Sequence, residues 1–429
     1  MKICVITAGG AGMFCGSCMQ DNTLVRSLRA AGADALLLPT YTPVRVDEEN
    51  VSQQRVFMGG INVYLDSRVP GWRYLPPILK RWLDSPGLVR LLSSLNSSTS
   101  AAQLGPLTVD LLNGSAGPQV SEIAELVRYL AEELRPDVII FSNALLSGVV
   151  PTLRKRWNGK LICMIQGDDV FLRDLPSPWK AQAIDLIRRN CGEFDMFLTH
   201  SVYYSNFMSN YLGLPRERFQ ETQLAIETAP DLPALNSEKV ASKLTVGYFA
   251  RICPEKGAFT FLDAAESILP ERPDMQMLIG GFLPGQHEQR FQRRLKQITD
   301  RVGRQLQWLG SPSDREGKFR LLRQLDWLCV PTEYHEPKGL YVLEAALSGV
   351  PSLLPSHGAF PERIRDLQAG ALYDPTVPGS LELALKKLLP SSDPEQRKRL
   401  QQRCLQQHGM EVAGKKTLAT IEQQCDRLR

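Results

Sequence analysis

The sequence predicts an α/β chain built from two Rossmann-like domains, each around a parallel sheet. Short apolar runs rich in β-branched residues alternate with stretches of helical spacing. The alternation comes in two series, and a polar, proline-bearing stretch separates them. The first series is KICVIT (2–7), ALLLP (35–39), DVIIF (137–141), LICMIQ (161–166) and MFLTH (196–200). The second opens at LTVGYFA (Leu244–Ala250) and continues through MQMLIGG, LQWLG, DWLCVP and VPSLLP. The linker expected between them is ETAPDLPALNSEK, Glu227–Lys239.

Composition narrows the function classes. A chain of 429 residues that is 43% hydrophobic and 22% charged reads as globular, with more than one domain. A net charge of +4 is small for this length, so nucleic acid is not expected as a partner. No run approaches 18 apolar residues, and MKICVITAGG lacks the pattern of a signal peptide. Nine scattered cysteines fit a reducing compartment, so a cytoplasmic location is expected. The five histidines (His200, His287, His335, His357, His408) show no ligand spacing, and no D-x-D occurs.

Two regions break the alternation. From about Pro43 to Pro118 the pattern is irregular, centred on PGWRYLPPILKRWLDSPGLVRLL (70–92). Its Trp72, Tyr74 and Trp82 sit among cations, leucines and prolines. It reads as an inserted helical subdomain with buried aromatics, or as an acceptor-binding lip or membrane-surface contact. After Ser391 the chain reads as two polar helices whose charge is mostly a solvated face.

The N-terminal loop TAGGAGMFCGSCMQD (Thr7–Asp21) carries two signals. Cys15 and Cys18 have C-x-x-C spacing, while Gly9, Gly10, Gly12 and Gly16 suit close backbone approach to a phosphate. Ser17 and Gln20 are spaced as a capping box, which starts a helix at Cys18 and presents an anion-binding N-terminus. One cysteine pair without a partner pair or nearby histidine is a weak zinc signal. A donor or acceptor loop is favoured over a redox switch or a metal site.

The second domain holds the strongest candidate site. TEYHEPKGLYVLEAALSGVP (Thr332–Pro351) lies between two strand runs. Pro337 and Gly339 place Glu336 in the loop before a helix whose core stripe is Leu340, Leu343 and Leu347. Glu344 falls on that stripe, where an unpaired charge is very costly. It either forms a buried salt bridge, with Arg251 or Arg363 as candidates, or lines a cleft and binds hydroxyl groups. In GYFARICPEKGAFTFLDAA (Gly247–Ala265) the strand ends near Arg251, and Pro254 and Glu255 are good first-turn residues. Lys256 then occupies a first turn, where the helix dipole disfavours a cation. Arg251 and Lys256 beside helix N–H groups make an anion site suited to a diphosphate.

These two segments resemble the retaining nucleotide-sugar glycosyltransferases of group 1 (family 4), which have the GT-B fold and a Glu-seven-residues-Glu motif. Glu336 and Glu344 have that spacing, and EPKGLYVLEAALSGVP follows E-P-F-G-L-x-x-L-E-A-x-A-x-G-x-P. ARICPEKG follows G-R-L-x-P-E-K-G, with Arg251 and Lys256 in register. The resemblance implies two Rossmann-like domains facing across a cleft: 1–235, with the irregular insertion at about 43–118, as the acceptor domain, and 236–408 as the donor domain. The helix over 409–429 would return to the first domain. It implies that Arg251 and Lys256 hold the donor diphosphate, Glu336 the sugar hydroxyls and Glu344 the ribose. The N–H groups of Gly339 and Leu340 would contact the donor, and Gly16 would face the diphosphate. Three departures stand out: Lys338 in place of Phe, Gln166 in MIQGDDVF where many members have a histidine near the sugar, and LAIET in place of P-N-G-x-D.

The activity so implied is metal-independent, cofactor-free transfer of a hexose from a nucleotide-diphosphate sugar to a hydroxyl. The acceptor would be a glycan, a lipid-linked or a small molecule, with a peripheral membrane contact where it is a lipid. A sugar-nucleotide epimerase on the same fold and a non-catalytic nucleotide-sugar binder are the alternatives. His335 adjoins Glu336 and either touches the acceptor or is structural.

Overall fold

The computed structural model describes residues 1–9, 16–46, 48–58, 101–228, 243–312, 314–390 and 393–427. Cys15, the centre of the expected insertion (70–92) and most of the expected linker lie outside the described residues. The chain separates into two compact units: Met1–Ala225 together with Met410–Arg429, and Ile226–Gly409.

The first unit contains β1 (Lys2–Thr7), β2 (Asp34–Pro39), β3 (Val138–Phe141), β4 (Lys160–Met164), β5 (Met196–Thr199) and β6 (Phe219–Glu221). They pair in parallel in the order β2-β1-β3-β4-β5-β6. Both faces are covered. Cys4 and Ile6 of β1 join one apolar core, and Ile3 and Val5 join the other. This explains why these strands read as continuous apolar runs.

The second unit contains β7 (Leu244–Phe249), β8 (Met275–Gly280), β9 (Leu306–Trp308), β10 (Trp327–Cys329), β11 (Ser352–Pro355) and β12 (Ala371–Tyr373). Its order is β12-β11-β10-β7-β8-β9, again all parallel. All ten strand runs read from the sequence form strands. The edge strands β6 (FQE) and β12 (ALY) were not anticipated.

Strand order reverses between β1 and β3 in the first sheet, and between β7 and β10 in the second. In open α/β sheets such a switch point leaves a crevice at the carboxyl ends of the strands, where ligands bind. In the second unit Gly257 (φ +72°) lets the loops after β7 and β10 meet, since a Cβ there would collide with the carbonyl oxygen of Pro331.

Two helix starts differ from expectation. Pro254–Lys256 forms a 3₁₀ turn, and the α-helix begins after Gly257, at Ala258. Lys256 therefore does not sit in an α-helical first turn, and the dipole conflict disappears. The N-terminal helix runs Gly16–Ala30, and the buried amide of Gln20 makes no hydrogen bond, so the capping box does not form.

The helix Met410–Arg427 packs along Gly16–Ala30 within the first unit. Ile421 enters the core with Leu24 and Val25. Gly414 lies against the carbonyl of Ser27, with no room for a Cβ. Among the described residues no helix is long and apolar enough to cross a membrane. Gly414→Leu should force the two helices apart and cost about 2–3 kcal/mol, the scale of overpacking. Chemical denaturation checks this, and a variant as stable as the parent contradicts the packing.

Candidate functional site

The two strands flanking the second switch point each deliver one charge. The loop after β7 carries Lys256, and the loop after β10 carries Glu336. Lys256 Nζ lies 2.7 Å from Glu336 Oε2 and 2.7 Å from the Tyr334 hydroxyl. Tyr334 donates to the same Oε2 at 2.7 Å, and Tyr341 donates to it at 3.1 Å. Oε1 accepts the Gly339 N–H at 3.3 Å. The Lys256 ammonium also sits 4.7 Å from the Tyr334 ring centre, within cation–π range.

Glu336 is 4% exposed, so an unpaired charge there would be costly. Burial alone would raise its carboxyl. The Lys256 cation, with the Tyr334 hydroxyl and the Gly339 N–H, outweighs it and holds the group at about 2. Gly339 makes the geometry possible. At φ +73° it caps the helix Leu340–Leu347 and turns its N–H toward Glu336. Gly358 supports the loop from behind, since a Cβ there would press on the Glu336 backbone at 2.6 Å. Arg363 donates to the Lys338 carbonyl at 2.9 Å, and Lys338 itself is buried.

The other residues expected here have partners of their own. Arg251 is exposed and paired with Glu255 at 2.8 Å in its own loop. Glu344 is buried as expected, but its partner is neither Arg251 nor Arg363. Lys318, on the helix Arg315–Arg323, reaches Glu344 Oε1 at 2.8 Å. Both side chains are about nine-tenths buried. The sequence hid Lys318 because it lies in a polar helix whose other buried residues are Phe319, Leu321 and Leu322. His335 stacks on His357 with ring centres 4.4 Å apart. Burial and the neighbouring His335 push His357 below its usual value.

In the first unit Gly16 begins its helix and is exposed. Cys18 is buried, 3.9 Å from the Thr7 hydroxyl. Gln166 follows β4 at the carboxyl edge of the sheet and is 5% exposed. Asp168, missed by sequence reasoning, accepts the N–H groups of Ala144 at 2.6 Å and Gln166 at 3.0 Å, which ties the loops after β3 and β4 together. Burial pushes its carboxyl up to about 6 against those hydrogen bonds. Among the described residues no group of three or more His, Cys, Asp or Glu suits a metal ion.

Residues 236–406 match the family described as Glycosyl transferases group 1. Over 131 residues the chain is 31% identical to the phosphatidyl-myo-inositol mannosyltransferase of Mycobacterium tuberculosis, covering 30% of this chain and 32% of that protein. Over 258 residues it is 22% identical to a GDP-mannose-dependent monoacylated alpha-(1-6)-phosphatidylinositol monomannoside mannosyltransferase of Corynebacterium glutamicum, covering 56% and 63%. The matched stretch thus spans about a third of the first relative and under two thirds of the second. Among solved structures, the sucrose-phosphate synthase of Thermosynechococcus elongatus aligns over 100% of both chains with a TM-score of 0.68 at 16% identity. Anabaena HepE in complex with UDP aligns over 99% of this chain and 100% of its own, at 0.60 and 16%. At these identities the likeness shows the fold, which is GT-B.

Two outcomes follow from the buried charges. Glu336 is held below its unfolded value of 4.5, at about 2. Its contribution to stability is therefore present above pH 4.5 and lost as pH falls toward 2, on the order of 3 kcal/mol in all. Lys256→Met should flatten the acid-denaturation curve in that window, and an unchanged slope contradicts the pairing. Glu344→Leu should leave Lys318 buried without a counter-charge and cost about 3 kcal/mol or more. The double variant Lys318→Met/Glu344→Leu should recover most of that loss. A single variant as stable as the double contradicts a coupled pair.

Proposed function

We propose that the chain is a hexosyltransferase that takes a sugar from a nucleotide-diphosphate sugar and passes it to a hydroxyl acceptor with retention of anomeric configuration. The observation that carries this reading is the Lys256–Glu336–Gly339 cluster, placed at a switch point of a group 1 glycosyl transferase domain. The chemical demand is stabilisation of the departing diphosphate. A fixed cation beside helix N–H groups meets it without reorganisation during the reaction. Lys256 fills that role, with Arg251 as a second cation and the N–H groups of Gly339 and Leu340 at the helix start.

Glu336 has two roles in this reading. Without ligand its two oxygens hold Lys256, two tyrosine hydroxyls and the Gly339 N–H. With a donor bound, sugar hydroxyls exchange for the tyrosine hydroxyls on the same carboxylate. Glu344 keeps one oxygen on Lys318 and offers the other to ribose. In the first unit Gly16 and Gln166 are proposed as donor contacts. No step in this scheme calls for a metal ion, and metal independence is part of the proposal.

The mannosyltransferase names of the relatives make GDP-mannose the first donor to test. The UDP complex of HepE makes a UDP-sugar the second. A lipid-linked acceptor is supported by the phosphatidylinositol substrates in those names, and peripheral membrane contact on the cytoplasmic side would go with it. A thermal-shift screen over nucleotide sugars tests the reading first, because a saturating ligand raises the melting temperature. With a donor in hand, Lys256→Ala and Arg251→Ala should each cut turnover on the order of 10²–10³-fold. Stabilisation by no nucleotide sugar, or losses below tenfold in both variants, contradicts it.

A further inference from the structure

The peptide between Lys338 and Gly339 is held on both sides. Its N–H, that of Gly339, donates to Glu336 Oε1 at 3.3 Å. Its carbonyl, that of Lys338, accepts from Arg363 Nε at 2.9 Å. Arg363 is 3% exposed, on the helix Phe360–Leu367, and its Nη1 lies 3.3 Å from Asp366 Oδ2. The stem of Arg363 lies against Gly339, with Cγ 3.6 Å from where a Cβ would sit. All of these groups belong to the second unit.

A peptide unit is planar, and in the trans form its C=O and N–H point in opposite directions. Fixing the carbonyl therefore fixes where the N–H points. The plane needs fixing here because glycine costs little to rotate, and Gly339 already sits at φ +73°. The helix secures only the next peptide. Val342 donates to the Gly339 carbonyl at 3.0 Å, which leaves the Lys338 carbonyl outside the helical ladder. Arg363 supplies the grip that the helix does not.

We propose that Arg363 is a positioning residue for the diphosphate. By holding the Lys338 carbonyl it keeps the Gly339 N–H turned to the side where Lys256 meets Glu336. A phosphate oxygen arriving beside Lys256 then finds this donor already aimed. The inference rests on the proposed role of Lys256 and the Gly339 N–H in holding a diphosphate, and it adds the residue that sets the direction of that N–H. The grip is made by Nε and does not depend on the charge of the guanidinium.

The test is calorimetric binding of GDP and UDP to the full chain, with guanosine and uridine measured by competition as ligands that lack the phosphates. Arg363→Met keeps the stem and removes the donor. It should weaken the nucleotide that binds about tenfold, the scale of one hydrogen bond, and leave the matching nucleoside as in the parent. Arg363→Gln carries an amide nitrogen at the position of Nε without the charge, and should stay within about threefold of the parent. A Met variant that binds as tightly as the parent, a Gln variant as weak as the Met variant, or a nucleoside that weakens in step with its nucleotide overturns the inference and leaves the diphosphate reading standing. Should Arg363→Met fail to fold, the wild-type chain gives a second measurement. Lys-Gly occurs twice in the sequence, at Lys256–Gly257 and Lys338–Gly339, so isotope labelling of lysine carbonyl carbon and glycine nitrogen selects these two peptides by NMR. On nucleotide binding the Gly339 N–H signal should move while the Lys338 carbonyl signal stays near its ligand-free position. A carbonyl that moves with the N–H, or an N–H that does not move, overturns the inference. If the wild-type chain binds neither GDP nor UDP, the diphosphate reading itself falls and this inference falls with it.

Discussion

The second unit is organised around one constraint, a carboxylate buried at the carboxyl edge of a sheet. Glu336 cannot stay charged at 4% exposure unless donors surround it, and they come from its own segment and from the loop after β7. Lys256 arrives from the loop after β7, Tyr334 from the loop after β10, and Gly339 and Tyr341 from the start of the next helix. The reversal of strand order between β7 and β10 brings these segments together. Gly257 and Gly358 have no Cβ, so the backbones can approach closely enough for the bonds to form. The charge that would bind a ligand is thus also what orders the loops.

The same design recurs in the first unit with different chemistry. There the buried carboxylate is Asp21, its partners are a hydroxyl and an amide, and Asp168 ties the neighbouring loops through backbone N–H groups. Cations dominate the second unit's edge and neutral donors the first's.

Most of the fold was legible in the sequence because parallel strands buried on both faces must be apolar throughout. Ten runs stand out, whereas β6 (FQE) and β12 (ALY) were not read as strands. The loop position of Glu336 and the burial of Glu344 were also legible, since Pro and Gly mark the loop and the helical stripe exposes an ill-placed carboxylate. Their partners were not. Lys318 is 26 residues from Glu344, and Asp21 is 145 residues from Gln166; contacts set by the fold at such separations leave no local pattern. The capping box failed because Gln20 is packed into the interior and does not reach back to its helix start.

The central claim is that the diphosphate of a nucleotide meets Lys256 beside Glu336. Titration of the Glu336 carboxyl by carbon NMR, with and without saturating GDP or UDP, tests this most directly. A bound diphosphate would share the Lys256 cation and add negative charge nearby, so the carboxyl should titrate clearly above its ligand-free value of about 2. A nucleotide that binds and leaves the Glu336 titration unchanged would contradict the account.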